Sequence, residues 1–239
     1  MGKLLTQYLD IRDAKLAYRE HGSGPALILL HGNSARKEMF TKYQTVHFNM
    51  FHTVAIDSRG HGESRSNDAQ YSISQFSDDV IGLCKAKGIM QAAVIGYSDG
   101  GNIAILLANK EPQIFRKIVA ISPNYLVSGT TDGTLRFLRA ITQMLHILER
   151  FGLPTHKAIM RCDLMLNDIG ISAQELGNIN TSLRILYAEN DMIKETHIQE
   201  MGALIPGATI KKIKRCNHLT IFYKKETIAD IREYLMRDG

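Results

Sequence analysis

Val94-Ile95-Gly96-Tyr97-Ser98-Asp99-Gly100-Gly101-Asn102-Ile103-Ala104 is the stretch on which the reading of this chain turns. The apolar run from Ala92 to Ile95 leads into it and predicts a buried strand. Ile103 to Ala108 leads out of it and predicts a buried helix. Between them stands Gly96-x-Ser98-x-Gly100. A serine at such a strand-to-helix reversal is held in a strained backbone conformation that thrusts its hydroxyl outward. The chain passes so close to itself there that the positions two before and two after the serine must be small. Gly96 and Gly100 meet that demand.

The surrounding composition is that of a globular chain. At 239 residues and 44% hydrophobic content, one domain with a sizeable core is expected. No apolar run is long enough to span a bilayer. Cys84, Cys162 and Cys216 are widely spaced, with no C-x-x-C pair. That spacing predicts a reducing, cytoplasmic setting and neither a disulfide framework nor a zinc site. The net charge of +5 is modest, and its one dense basic run is Lys211, Lys212, Lys214 and Arg215. The run alternates with Ile210 and Ile213, so it reads as the solvent edge of a strand. Neither nucleic acid nor a membrane is expected as a partner, and the sequence is silent on oligomeric state.

Outward from the serine, short apolar strands alternate with helical patterns. Leu4 to Tyr18 predicts an edge hairpin turning at Asp10–Asp13. Strands are expected over Ala26–Leu30, Thr53–Ile56, Lys117–Ile121, Leu183–Tyr187 and Ile210–Ile213. Helices are expected over Ser34–Thr45, Ile73–Lys87, Lys194–Leu204 and Leu219–Met236. Such alternation predicts parallel βα units with helices on both faces of a sheet. The rhythm breaks after Pro123. Leu135, Leu138, Ile141, Met144, Leu145 and Leu148 recur at helical spacing, and Ser172-x-x-Glu175 reads as a capping box. Residues 125–177 are therefore expected to form a helical cap, inserted at the strand edge where ligands bind. Residues 1–124 and 178–239 are expected to form the core.

A serine hydroxyl is a poor nucleophile unless a base takes its proton and a third group orients that base. Among the histidines, His218 follows the last strand and precedes the last helix, which makes it the candidate base. His197 falls inside a predicted helix and reads as a surface residue, while His31 and His61 read as braces for their glycine-rich loops. The acid should follow the penultimate strand, where Asp191 is the first choice and Glu189 the second. Backbone N–H groups of Asp99, at a helix start, and of Asn33, after the Ala26–Leu30 strand, are the candidate oxyanion donors.

His31-Gly32-Asn33, Asp57-Ser58-Arg59-Gly60-His61-Gly62-Glu63-Ser64, Gly96-Tyr97-Ser98-Asp99-Gly100-Gly101, Asp191 and His218 together resemble the α/β-hydrolase superfamily. The resemblance covers nearly the whole chain outside the cap, and the order Ser…Asp…His is that family's. It implies a mostly parallel sheet of about eight strands, a Ser98–His218–Asp191 triad and an oxyanion hole from Asn33 and Asp99. It also implies that Arg59 ties its loop down. A serine nucleophile speaks against the family's haloalkane dehalogenases and epoxide hydrolases.

The expected activity is cleavage of a carboxylic ester of a small or medium-sized substrate through an acyl-enzyme, with no metal and no organic cofactor. Amide or amino-acid ester cleavage of the iminopeptidase kind, and C–C bond or thioester hydrolysis, would use the same groups. Some hydrolases with a similar Ser-Asp-Gly-Gly elbow favour α-amino esters. A ligand-binding protein on the same fold is the reading from a different class. Phe40, Phe137, Leu138, Ile141 and Met192 are expected to line the substrate pocket.

Overall fold

The computed structural model describes residues 4–68 and 70–237. The core division drawn above runs to both chain ends, and residues 1–3 and 238–239 lie outside that description. β1 (Gln7–Ile11) and β2 (Ala14–His21) form the edge hairpin, turned by Arg12 at φ 53°. β3 (Ala26–Leu30), β4 (His52–Ile56), the two-residue β5 (Arg65–Ser66), α1 (Ile73–Ala86), β6 (Ala92–Tyr97), α2 (Asp99–Lys110) and β7 (Phe115–Ile121) follow. Then come α3 (Asp132–Arg150), α4 (His156–Met165) and α5 (Ala173–Gly177). β8 (Ser182–Asn190), α6 (Glu195–Leu204), β9 (Thr209–Asn217) and α7 (Lys225–Met236) close the chain. The strands make one sheet in the order β1-β2-β4-β3-β6-β7-β8-β9, with β5 on β2. It is antiparallel at the hairpin edge and parallel from β4 through β9.

Period-two alternation along each strand feeds two cores. Ile28 and Leu30 of β3 point into the layer that holds α1, α2 and α6. Leu27 and Leu29 point into the layer that holds Phe40, Tyr43, Phe222 and Ile231. Strands covered on both faces read as unbroken apolar runs, which is why Ala26–Leu30 shows no alternation in sequence. The expected nucleic-acid-neutral run on β9 lies at the sheet edge. There Lys211 is paired to Asp230 at 2.7 Å and Lys212 to Glu195 at 2.6 Å.

Two expected helices differ. Over 34–45 the chain makes a 3-10 turn at Lys37–Phe40 and a π turn at Tyr43–His47 instead of one helix. The cause is tertiary: the Lys37 N–H and Nζ both donate to Asp57, at 2.6 and 2.8 Å, which pins the first turn to the sheet. The C-terminal helix is preceded by a separate 3-10 turn at Ile221–Tyr223, because Lys224 is extended (φ −69°, ψ 135°).

α3, α4 and α5 occupy the long connection from β7 to β8. Ser172 and Glu175 cap α5 reciprocally. The base of the insertion is tied to the loop after β8: the Thr131 N–H donates to Met192 O at 2.8 Å, and the Lys194 N–H to Gly129 O at 2.7 Å. Among the described residues no helix is long and apolar enough to cross a membrane.

Candidate active site

The elbow forms because its glycines allow it. A Cβ on Gly96 would lie 2.0 Å from Gly100 O, and a Cβ on Gly100 would lie 2.1 Å from Leu30 O. Ser98 itself sits at φ 55°, ψ −120°, a region that costs a non-glycine residue about 1–3 kcal/mol. Packing of α2 holds it there. The Ser98 N–H donates to Ile121 O at 2.8 Å, and Ser98 O accepts from the Asn102 N–H at 3.0 Å. The hydroxyl stands clear at the C-terminal edge of the sheet.

His218 and Asp191 reach the same edge from the loops after β9 and β8. His218 Nε2 lies 3.0 Å from Ser98 Oγ, and its Nδ1 lies 2.6 Å from Asp191 Oδ1. The second nitrogen is thereby assigned as the proton donor to Asp191, leaving Nε2 to face the serine. Tyr97 adds a brace, its hydroxyl donating to His218 O at 2.8 Å. Asp191 is almost wholly enclosed, with 1% of its side chain exposed. Burial alone would push its carboxyl up. The hydrogen bond and charge of His218, the Ser122 hydroxyl and the Ala188 N–H outweigh that and hold it below the usual carboxylate range. Glu189 is turned away, accepting from the Arg215 N–H at 2.9 Å.

Ser122 was invisible to motif reading. It follows β7 at φ 52°, and its hydroxyl donates to Asp191 Oδ2 at 2.5 Å. The only sequence trace is a serine before Pro123, which is common in loops. Arg161 on α4 was missed too. Its carbonyl accepts from Asn33 Nδ2 at 2.8 Å, and its Nη2 donates to Gly60 O at 2.6 Å. These bonds fasten α4 to the two loops beside the serine.

The Asn33 and Asp99 N–H groups flank Ser98, and among the described residues neither donates to another protein atom. Their side chains are linked, Asn33 Nδ2 donating to Asp99 Oδ2 at 3.0 Å. Burial pushes the Asp99 carboxyl up to about 6, against the pull of the Asn33 hydrogen bond and of His218.

Two openings meet at Ser98. A cleft of about 380 Å³ is lined by Asn33, His218, Met165, Met192, Leu219 and Tyr223. A narrow pocket of about 20 Å³ is lined by Asp99, Asn102, Asn124, Leu138 and Met192. Leu138 and Met192 thus border the serine, but the other three expected lining residues do not. Phe40 is fully buried, packing edge-on against Tyr43 and Phe222 in the core layer. Phe137 is 63% exposed, because it lies about 100° round α3 from Leu138, on the side turned to solvent. Ile141 is half-buried and borders neither opening. His197, expected at the surface, is 5% exposed. It stacks on Tyr125 with centroids 4.8 Å apart and accepts the Tyr125 N–H at 3.2 Å, wedged against Gly129 at the base of the insertion. Arg59 does tie its loop down: it donates to Asp79 at 2.6 and 2.7 Å, to Asp68 at 2.8 Å and to Asp13 at 3.0 Å.

The family model for the alpha/beta hydrolase fold matches residues 25–151, just over half of the chain. The chain belongs to the α/β-hydrolase fold family. Its similarity to curated family members is partial. It is 32% identical over 117 residues to 2-(acetamidomethylene)succinate hydrolase of Mesorhizobium japonicum, covering 49% of this chain and 42% of that protein. It is 32% identical over 139 residues to serine hydrolase BPHL of Mus musculus, covering 56% of this chain and 48% of that protein. The match therefore spans about half the length of these relatives or less. Among solved structures, the enol-lactonase from Burkholderia xenovorans superposes with a TM-score of 0.78 at 18% identity, over 97% of this chain and all of that one, 100%. At such identity the likeness is one of fold, and the hydrolases that share it act on varied substrates.

Proposed function

We propose that this hydrolase cleaves a carboxylic ester through an acyl-enzyme. The observation that carries the reading is the continuous relay from Asp191 Oδ1 to His218 Nδ1, at 2.6 Å, and from His218 Nε2 to Ser98 Oγ, at 3.0 Å. In this reading His218 takes the hydroxyl proton as Ser98 attacks the ester carbon. Asp191 holds the ring in orientation and balances the imidazolium. The N–H groups of Asn33 and Asp99 receive the oxyanion, and losing one such donor costs about 3 kcal/mol of transition-state stabilisation. His218 then protonates the leaving alkoxide. A water entering in its place loses a proton to the same nitrogen as it attacks the acyl carbon, and His218 returns that proton to the departing Ser98 oxygen as the acid leaves. The other titratable side chains bordering the two openings are Asp99, Tyr97 and Tyr223. An alkoxide leaving group, which needs one proton from His218, suits that inventory.

A second reading refines the substrate to an ester that bears an ammonium group. It is favoured by Asp99, a buried carboxyl beside the serine with no cationic side chain paired to it among the described residues. Two unit charges about 6 Å apart repel by about 3 kcal/mol at an effective dielectric of 20. An ionised Asp99 would oppose the oxyanion by that order unless a cation sits with it.

Ser98→Ala tests the main reading. Turnover of p-nitrophenyl esters should fall by roughly 10³-fold or more with the circular dichroism spectrum unchanged. A fluorophosphonate should add mass at Ser98 alone. Activity within tenfold of the unmodified protein, or no labelling at Ser98, would sink the assignment and favour a binding protein on this fold.

A further inference from the structure

We infer that α3 seats this protein on anionic lipid surfaces. The helix turns a small face inward, burying only Leu135, Leu138 and Thr142. Its outward face carries a second apolar row. Phe137, Met144 and Phe151 are 63%, 52% and 81% exposed and recur every seven residues, so they lie along one line of the helix. Ala140 and Ile147, also exposed, fill the gaps, and Leu153 prolongs the row past the helix end. A contiguous apolar patch of this kind marks a surface that is covered in use.

The flank of the row identifies the cover. Arg136, Gln143 and Arg150 recur at the same seven-residue interval, one position before each large apolar residue, with Arg139 beside them. Among the described residues none of these three arginines has an ion-pair partner. On β9, by contrast, Lys211 and Lys212 are spent on Asp230 and Glu195. Of the nearby acids, Asp132 is engaged with Lys194 at 2.9 Å, and Glu149 lies toward the imidazoles of His156, at 3.3 Å, and His146, at 3.8 Å. Self-association is disfavoured by the same flank. An antiparallel two-fold pair centred on Met144 would set Phe137 against the second copy's Phe151, but it would also bring Arg136 close to the second copy's Arg150. Like charges there oppose pairing, whereas lipid phosphates at that flank neutralise them.

An apolar row beside a basic flank is the arrangement of a helix lying in the headgroup–acyl boundary. Such seating needs no spanning segment, so the lack of a long apolar run in this chain does not bear on it. Leu138, one residue from Phe137, borders the pocket at Ser98, so the seated face lies close to the catalytic groups.

The test is co-sedimentation with phosphatidylcholine vesicles made with and without phosphatidylglycerol, at low and high salt. The protein should partition at least ~10-fold more strongly onto the anionic vesicles, with the excess lost at high salt. Met144→Asp with Phe151→Asp should abolish partitioning, while soluble-ester turnover stays as before. Arg136, Arg139 and Arg150 changed together to Gln should remove the preference for anionic lipid. Phe151→Ser, a single change at the helix end, serves if the double variant misfolds. Equal partitioning onto both vesicles, or none, overturns the inference. So does light scattering on a sizing column that shows a dimer which Met144→Asp converts to a monomer, since the row would then be an interface between copies.

Discussion

α2 and α3 face each other across Ser98, and they are built on opposite terms. α2 buries ten of its twelve residues, from Asp99 to Ala108. α3 buries three of nineteen. α2 has no freedom because it holds a strained serine: its glycines touch the backbone of β3 and β6, and its apolar side chains fill a sheet face. α3 has one tethered side and one free side. The lesson is that the serine proposed as nucleophile is placed by a helix constrained at almost every position, while the pocket beside it is bordered by a helix most of whose positions answer to nothing inside the molecule.

The sharpest way to break that contrast is a pair of glycine changes. Gly100→Ala places a methyl 2.1 Å from Leu30 O, against backbone that cannot yield. It should destabilise the fold by roughly 4 kcal/mol or more in urea unfolding. Gly133→Ala, in the first turn of α3, meets nothing within 4 Å and should be neutral or stabilising by up to about 1 kcal/mol. Similar effects at both sites would end the distinction.

Asp99→Asn examines the one charged residue of the constrained helix. Burial holds its folded-state pKa at about 6, above the ordinary carboxylate value of 3.8. Ionisation is therefore resisted in the fold, and stability falls as pH rises from near 4 through 6, then levels off. The substitution should stabilise the protein by roughly 1–3 kcal/mol at pH 8 and lose that advantage at pH 4, read as the difference in melting temperature. It should also lower kcat/KM about 10-fold for an amino-acid ester while sparing or improving a neutral ester of equal size. Equal kinetic changes on both esters would remove the ammonium reading.

Ser122→Ala deletes one of the donors to Asp191. A hydrogen bond to a charged group is worth about 1.5–3 kcal/mol, but the Ala188 and Ile193 N–H groups remain on the same carboxylate. The expected loss in kcat is therefore about 3–10-fold with KM unchanged. A KM effect alone would make Ser122 a packing residue.

The smallest effects separate the two sides of α3. Leu138→Ala should cost about 2 kcal/mol and shift the preferred ester chain length, because the side chain borders the pocket. Phe137→Ala should change stability by at most about 0.5 kcal/mol and leave the profile on soluble esters alone. A shifted profile in the Phe137 variant would mean that α3 rotates or moves when substrate binds.

Local spacing was enough to read the alternating strands, the elbow and the fold class, since Gly96, Ser98 and Gly100 must sit where they do for the backbone to pass. It also put Ser98, Asp191 and His218 at the ends of three strands of one parallel sheet, whose ends share one edge. That their polar atoms meet at 2.6 and 3.0 Å is a property of the folded sheet. The single helix expected at 34–45 failed because Asp57, twenty residues on, pulls Lys37 inward. Phe40 and His197 were assigned to the pocket and the surface from their types and local patterns, and both are buried by partners distant in the chain: Phe222 for one, Tyr125 for the other. Helical spacing over Leu135–Leu148 showed that an apolar side exists. Only packing decided that Leu138 faces the serine and Phe137 the solvent, because a periodic pattern specifies angles between side chains and not which angle the rest of the molecule covers.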